Sequence, residues 1–287
     1  MNITKPKALT LRVRERIVET PDTTTLVFDS EQPLPPYQGG QFLTLDPKQF
    51  AALRPFGHYL EKAKGLRKEM ARAYSMSSAP HEPLAITIKE DPFIPGETAW
   101  PPLLSPFLTH AAFPGLEVQA MGFSGPYILP PDIEQRTDHV LHVVAGSGVV
   151  PNFSIIKASL HAHPRLRHTL VWSNKRWVDV AFKHQLSRLL KAHPDRLRVV
   201  HTLTRETNPA PEPGVRAGRI DAALLASFVP DPNKAWVYVC GPAVTSYERK
   251  AALAENKTPA PRFLETMLDA FEKLGVPKTN VKREAYG

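Results

Sequence analysis

An apolar run in the middle of the chain ends in a glycine turn, and this junction limits the fold more than any other stretch. Residues 140–145 form the run, and Gly146-Ser147-Gly148-Val149-Val150-Pro151 follows it. A buried strand, a glycine turn and a helix start are typical of a dinucleotide-binding unit, because glycine lets a pyrophosphate approach the backbone and a helix N-terminus attracts its charge. Pro151 fits the first helical turn, where its missing N–H costs nothing. A plain strand-to-helix connection is the alternative.

The rhythm of predicted elements changes near residues 130–138. The upstream part has short predicted strands separated by turns, which is typical of an antiparallel barrel; they cover 9–18, 23–28, 41–45, 73–77, 85–89 and 116–121. The downstream part alternates strands with helices, which is typical of a doubly wound parallel sheet; the strands cover 140–145, 169–172, 197–203 and 236–240, and the helices 153–160, 180–191 and 262–274. The sequence therefore predicts two domains, at 1–133 and 134–287.

Composition excludes several classes of protein. The only cysteine of the 287 residues, Cys240, can form neither an intramolecular disulfide nor a cysteine-rich metal or iron–sulfur site. The histidines form no ligand array, so we expect no metal. No apolar stretch is long enough to span a bilayer and no secretory signal is visible, so we expect a soluble cytoplasmic protein with no membrane partner.

The net charge of +8 fits a surface that attracts phosphates or an acidic protein, although ordinary solubility would also account for it. No basic run alternates with aromatic residues, so we expect no nucleic-acid partner.

Upstream of the boundary, the string Arg72-Ala73-Tyr74-Ser75 carries side chains that suit a ring bearing a phosphate. On a strand, Arg72 and Tyr74 project from one face and Ser75 from the other. A guanidinium grips a phosphate with two hydrogen bonds, an aromatic ring offers a flat apolar face, and a hydroxyl can bond a ring nitrogen. A half-exposed strand with a surface arginine is the alternative.

Two further strings lie near the C-terminus. Cys240-Gly241-Pro242 follows the strand predicted at 236–240, and the chain ends in Arg283-Glu284-Ala285-Tyr286-Gly287. Simple packing is the usual role of a lone buried cysteine, and a frayed tail is the simple interpretation of the last residues.

In this order, the strings resemble the ferredoxin–NADP reductase family, from about Leu9 to the C-terminus. Gly40-Gln41-Phe42 and Gly122-Phe123-Ser124-Gly125-Pro126-Tyr127 resemble further landmarks of its barrel. The resemblance implies an FAD-binding antiparallel β-barrel followed by a doubly wound NAD(P)-binding α/β domain. Because one cysteine cannot hold an iron–sulfur cluster, the resemblance is to the oxygenase-reductase type without an iron–sulfur domain.

The resemblance also implies roles in the flavin site: Arg72 on the flavin phosphate, Tyr74 against the isoalloxazine and Ser75 near its N5. The family usually has a glycine shortly before a Ser or Thr at a helix start, where amides meet the flavin pyrophosphate. Here Ser105 is present, but Pro101 and Pro102 replace the expected glycine and free N–H groups. We expect FAD, the usual flavin of the family, and the prolines leave FMN open.

For the nicotinamide, the resemblance implies that Gly146, Gly148 and Pro151 form the dinucleotide turn. It also implies that Cys240 abuts the nicotinamide C4 region and that Gly241 admits the cofactor, with Pro242 as a further cofactor-binding residue. Family members often finish with an acidic residue, one spacer and an aromatic residue that lies near the flavin, and the resemblance implies these roles for Glu284 and Tyr286. Ser75, Cys240 and Glu284 are the expected catalytic residues.

The choice of nicotinamide depends on Trp172-Ser173-Asn174-Lys175-Arg176, where the adenosine ribose would lie. No carboxylate that would pair with the free hydroxyls of NADH occurs before Asp179. Cations and a hydroxyl that could hold the 2′-phosphate are present instead, namely Ser173, Lys175, Arg176 and Arg205. We therefore expect NADPH, with NADH possible. Solvated loop cations are the alternative.

The expected function is that of a flavin-dependent NAD(P)H oxidoreductase. Electrons would pass from the nicotinamide through FAD to a separate acceptor, such as a ferredoxin, an oxygenase component or a small molecule. The alternative is a non-catalytic flavin-binding or sensing module that keeps the reductase fold, and Pro101 and Pro102 are its best support.

Overall fold

The computed structural model describes residues 8–64, 71–91, 101–206 and 214–286. Contacts divide these residues into two compact units. The first holds residues 8–128 with Phe153–Ile155, and the second holds Leu129–Asn152 with residues 156–286. The domain boundary expected between 133 and 134 stays a prediction.

The first unit contains a sheet of antiparallel strands in the order β4-β3-β6-β1-β2-β5. On β1, buried Leu9, Leu11 and Val13 alternate with exposed residues, so one face of the strand lines the core. Met76, directly after β4, bridges Ile86 of β5, and this single bridge between the two end strands makes the sheet the nearly closed form of the predicted barrel. The strands are β1 (Ala8–Thr20), β2 (Thr23–Ser30), β3 (Phe42–Leu45), β4 (Arg72–Ser75), β5 (Ala85–Lys89) and β6 (Glu117–Ser124).

Two helices of this unit are described, α1 (Arg54–Lys64) and α2 (Leu104–Pro106). The second continues as a π-helical stretch over Phe107–Ala111. Leu104 and Leu108 from this segment pack into the barrel core. The segment that holds Ser105 is therefore anchored by apolar contacts on both sides of that residue.

The second unit contains a sheet of parallel strands in the order β10-β9-β8-β7-β11-β12. The chain moves outward from β7 to β10, and β11 then pairs with the other side of β7. This reversal is the topological switch point of a doubly wound sheet, where ligands bind at the carboxyl ends of the strands. The strands are β7 (His139–Ala145), β8 (Arg167–Asn174), β9 (Leu197–Leu203), β10 (Val215–Ala217), β11 (Trp236–Gly241) and β12 (Val281–Ala285).

The helices of the second unit are α3 (Ile133–Arg136), α4 (Val149–Ala162), α5 (Lys183–Ala192), α6 (Ala222–Ala226), α7 (Ser246–Ala254) and α8 (Phe263–Lys273). Helix α4 begins earlier than predicted, because a 3-10 turn over Gly146–Gly148 leads directly into it. Helix α5 begins later than predicted, since Phe182 adopts a left-handed conformation with φ of +57°. Residues 281–285 are a strand paired with β11, and not a frayed tail. In the described part of the chain, no helix is long and apolar enough to cross a membrane.

Candidate functional site

Strand β4 carries the predicted flavin residues of the first unit. Arg72 is exposed, Tyr74 is partly buried and Ser75 is buried. Antiparallel pairing with β3 sets Tyr74 opposite Leu43 and Ser75 opposite Phe42. The unit therefore offers a guanidinium to solvent at the start of the strand, followed by an aromatic ring.

Asp91 is a member of this neighbourhood that the sequence analysis missed. Its backbone N–H donates to Ser105 Oγ at 3.2 Å. Burial raises the pKa of the Asp91 carboxyl, and the charge of Arg72 opposes that rise. Burial also raises the pKa of Tyr74, and Asp91 adds to the effect. Arg72, Tyr74, Ser105 and Asp91 thus lie close together, and the position of Asp91 just after β5, which meets the end of β4, was the available signal.

Ser105 lies inside the first unit and not on its surface, with 4% of its area exposed. Its hydroxyl already accepts the hydrogen bond from Asp91, and the preceding Leu103 provides no side-chain cap for the short helix α2. The role of Ser105 at a flavin pyrophosphate stays a prediction.

The residues of the first unit fit a flavin. Ser77, just beyond β4, has a buried hydroxyl with no hydrogen-bond partner among the described residues. Buried polar groups normally have partners, so this hydroxyl suits a ligand that brings its own donors and acceptors. The exposed guanidinium of Arg72 and the ring of Tyr74 supply the anion-binding and apolar contacts that such a ligand also needs.

In the second unit, the switch point brings the glycine turn against the end of β11. A Cβ atom on Gly148 would lie 2.4 Å from the carbonyl oxygen of Cys240 and 2.9 Å from the amide nitrogen of Gly241. Only glycine fits this approach. Gly146 has a φ of +52°, which favours glycine, and the space beside it is open. Gly146, Gly148, Cys240 and Gly241, all predicted for the nicotinamide, therefore lie together.

Pro151 and Pro242 flank this contact. Pro151 lies in the first turn of α4, as predicted, while Pro242 is exposed directly after β11. A Cβ atom on Gly241 would meet the ring of Phe263 at 2.6 Å, so this glycine too is required by close packing.

Glu284 lies beside Cys240, because β12 pairs with β11 in a register that sets these two residues opposite each other. Cys240 is fully buried, and burial, followed by the charge of Glu284, raises the pKa of its thiol. Burial raises the pKa of Glu284 to about 7. At neutral pH the cysteine is therefore a thiol, whereas Glu284 can gain or lose a proton. Tyr286, directly after β12, donates its backbone N–H to the Gly241 carbonyl at 3.0 Å, so it too lies at the end of β11.

The predicted ribose-phosphate residues gather at the ends of β8 and β9. The Arg205 N–H donates to the Lys175 carbonyl at 2.9 Å, and Lys175, Arg176 and Arg205 are all exposed. Ser173, in β8, is partly buried.

Two carboxylates also lie at these strand ends. Asp179 accepts from the Arg176 N–H at 3.0 Å, and Glu206 accepts from the Trp177 N–H at 2.8 Å. The sequence analysis missed Glu206, which follows Arg205 directly.

The residues of the second unit fit a dinucleotide. Two buried polar side-chain atoms near the carboxyl ends of β8 and β9, Asn174 Nδ2 and Thr202 Oγ1, have no hydrogen-bond partner in the described ranges. The buried Oε2 of Glu284 also has none there. These three atoms could hydrogen-bond to a ligand at the carboxyl ends of the strands, and the open space beside Gly146 would let the ligand approach the backbone there. No group of three or more metal-ligating side chains occurs among the described residues.

Comparison with known proteins shows what this chain is similar to. Residues 143–246 match the family described as the oxidoreductase NAD-binding domain. The ferredoxin reductase component of 3-ketosteroid-9-alpha-monooxygenase from Mycobacterium tuberculosis is 30% identical over 263 residues, which are 88% of this chain and 63% of that protein. One of the components of 1,2-phenylacetyl-CoA epoxidase from Escherichia coli is 26% identical, with 92% of this chain and 67% of that protein covered. The chain thus spans somewhat less than two thirds of the first of these relatives.

Solved structures show the same fold. The flavohem-like FAD/NAD-binding domain of nitric oxide dioxygenase from Vibrio cholerae aligns over 97% of this chain and 98% of that one, with a TM-score of 0.70 and 19% identity. The ferredoxin reductase of carbazole 1,9a-dioxygenase aligns over 100% and 71%, with a TM-score of 0.66 and 16% identity.

Proposed function

We propose that this chain is a flavin-dependent NAD(P)H oxidoreductase of the ferredoxin–NADP reductase-like family, which passes electrons to a separate acceptor. Its similarity to the oxidoreductase NAD-binding domain and to a ferredoxin reductase component supports this proposal. The observation that carries this proposal is the switch point of the second unit, where the glycine turn contacts the end of the strand that bears Cys240. Glu284, on the neighbouring strand, adds an ionisable group there.

A bound nicotinamide and flavin would supply hydride transfer and the release of electrons to an acceptor. The chain's own residues bind and orient them. Arg72 would hold the flavin phosphate, while Tyr74 would pack against the ring and Ser75 would hydrogen-bond to it. Gly146 and Gly148 would admit the nicotinamide pyrophosphate to the start of α4, where backbone N–H groups lack intrahelical partners.

Cys240 and Glu284 would act on the nicotinamide side. As a fully buried neutral thiol, Cys240 behaves as a small apolar group that keeps water from the end of β11. Glu284 holds a proton on its carboxyl group below about pH 7 and releases it above that pH. Glu284, opposite Cys240 near the end of β11, can therefore exchange a proton in the neutral pH range.

The finer assignments are part of the proposal. FAD is the proposed flavin. NADPH is the proposed nicotinamide, supported by the exposed Lys175, Arg176 and Arg205 at the ends of β8 and β9. A separate protein acceptor is supported by the relatives, which are named as the ferredoxin reductase component of a monooxygenase and as part of an epoxidase.

The proposal is tested by mixing the purified flavin-loaded protein with NADPH or NADH without oxygen and following the flavin absorbance. We expect bleaching within seconds or faster, and recovery of the oxidised spectrum when a ferredoxin or a dye acceptor is added. A bound flavin that neither nicotinamide bleaches would refute the reductase and favour the sensing module. A protein that purifies without flavin and takes none up would refute both.

A further inference from the structure

Two buried side chains donate hydrogen bonds to the carbonyl groups of Gly146 and Gly148 in the dinucleotide turn. The Trp172 Nε1–H, from β8, donates to the Gly146 carbonyl at 3.0 Å. The Asn152 Nδ2–H, from α4, donates to the Gly148 carbonyl at 3.0 Å. Trp172 and Asn152 are almost completely buried, and the sequence analysis assigned a role to neither.

Asn152 is the end of a longer buried chain of hydrogen bonds. Its Oδ1 lies 2.8 Å from His142 Nδ1, and His142 Nε2 lies 3.1 Å from His168 Nδ1. His168 Nε2 in turn lies 2.9 Å from Ser159 Oγ. These side chains belong to β7, β8 and α4, so this series of hydrogen bonds connects the Gly146–Gly148 turn to three elements of the second unit.

The Gly148 carbonyl fixes the direction of every bond in this chain, because a carbonyl can only accept. Asn152 must therefore donate to it through Nδ2 and accept from His142 through Oδ1. His142 then carries its proton on Nδ1 and accepts at Nε2, so His168 also carries its proton on Nδ1. Ser159 closes the chain as the donor to His168 Nε2.

Burial supports neutral rings at both positions. It lowers the pKa of His142 to about 4 and lowers the pKa of His168 well below its usual range. Each neutral imidazole has one donor and one acceptor, which is what the directed chain requires.

We propose that Trp172 and Asn152 are positioning residues, which hold the Gly146–Gly148 turn in the conformation that binds the nicotinamide pyrophosphate, and that His142, His168 and Ser159 orient Asn152. The inference rests on the proposed function. With both carbonyls held inward, the turn keeps its open side toward a ligand. None of the five side chains needs to touch the cofactor.

The test combines a binding measurement with a spectroscopic one. Trp172→Phe removes the donor to Gly146 and keeps an aromatic ring, and Asn152→Leu removes the donor to Gly148 and the acceptor of His142 at similar side-chain volume. Calorimetric titration of the flavin-loaded proteins with NADP⁺ and NAD⁺ should show binding weakened by about ten-fold in each variant, the loss expected for one hydrogen bond. Their flavin content should match the parent. Trp236→Phe, at the opposite end of the sheet, is the matched control and should bind within about two-fold of the parent.

The spectroscopic arm uses the unaltered protein, so it does not depend on the folding of a variant. Nitrogen-15 NMR of the labelled histidines at neutral pH should show His142 and His168 as neutral Nδ1–H tautomers, assigned by the loss of each signal in His142→Gln and His168→Gln. An Nε2–H tautomer at either position would overturn the directed chain. Parent-like nicotinamide affinity in both Trp172→Phe and Asn152→Leu would overturn the positioning role and leave the reductase standing. An unaltered protein that binds neither nicotinamide would refute the proposed function itself.

Discussion

Replacing Glu284 by glutamine should remove a pH-dependent loss of stability from the second unit. Burial raises the pKa of Glu284 from 4.5 to about 7, so the folded state binds this proton more tightly than the unfolded state. The resulting stabilisation is fully present below pH 4.5 and is lost as the pH rises through 7. At about 1.4 kcal/mol per pKa unit, the free energy of unfolding should fall by roughly 2–3 kcal/mol between about pH 5 and pH 8 because of this one group.

Urea unfolding followed by tryptophan fluorescence is a suitable assay, since Trp172, Trp177 and Trp236 all lie in the second unit. The free energy of unfolding is measured from pH 5 to 8 for the parent and for Glu284→Gln. We expect the variant to gain roughly 2–3 kcal/mol relative to the parent across this range, because its amide cannot ionise. Other groups that titrate in the range are common to both proteins and cancel in the difference.

Glu272→Gln is the control, because this carboxylate has a side chain that is 63% exposed and pairs with Lys278 on the surface. It should follow the parent at every pH. A constant offset between Glu284→Gln and the parent from pH 5 to 8 would refute the reasoning. It would mean that Glu284 titrates in the folded protein as it does in the unfolded chain.

Three further predictions concern the cofactors. Arg72→Ala should purify with less flavin, because a charge-assisted phosphate contact contributes about 1.5–3 kcal/mol; flavin absorbance per protein is measured against Arg54→Ala, and equal occupancy would remove Arg72 from the site. Cys240→Ser should keep its flavin but be reduced more slowly by NADPH in anaerobic rapid mixing, whereas lost flavin with an unchanged rate would make Cys240 a packing residue. Lys175→Ala and Arg205→Ala should lower the preference for NADPH over NADH in kcat/KM, but by less than about 1 kcal/mol each, because both side chains are exposed. A parent that prefers NADH, or an unchanged ratio in both variants, would show that they are ordinary surface charges.

Local sequence patterns were sufficient to predict most of the fold. The apolar run that became β7 needs no knowledge of its neighbours to be recognised, and the glycines after it predicted the turn into α4. The short strands of the first unit were recognised in the same way. Strand β12 was not predicted, because Val281–Ala285 is strand only through its pairing with β11.

The position of a candidate residue could be predicted where the signal lies in the residue type and its place beside a strand, and its role stays a prediction. Arg72, Gly148 and Cys240 are of this kind. Asp91 and Asn152 were missed, because their importance comes from contacts with residues that are distant in sequence or are defined only after folding. No periodicity records that two histidines 26 positions apart meet inside a sheet. The cytoplasmic location and the preference for NADPH stay predictions.

The isolation of Cys240 has a practical consequence for studying the protein in solution. It is the only cysteine in the chain, it has no exposed surface, and burial raises the pKa of its thiol. Since the thiolate is the form that reacts with maleimides, the folded chain should resist labelling. A cysteine introduced at an exposed position, such as Leu253→Cys on α7, should therefore take up a single fluorophore or spin label without prior removal of the native thiol. In the unaltered protein, slow reaction of Cys240 with a maleimide would measure how often the structure around the end of β11 opens.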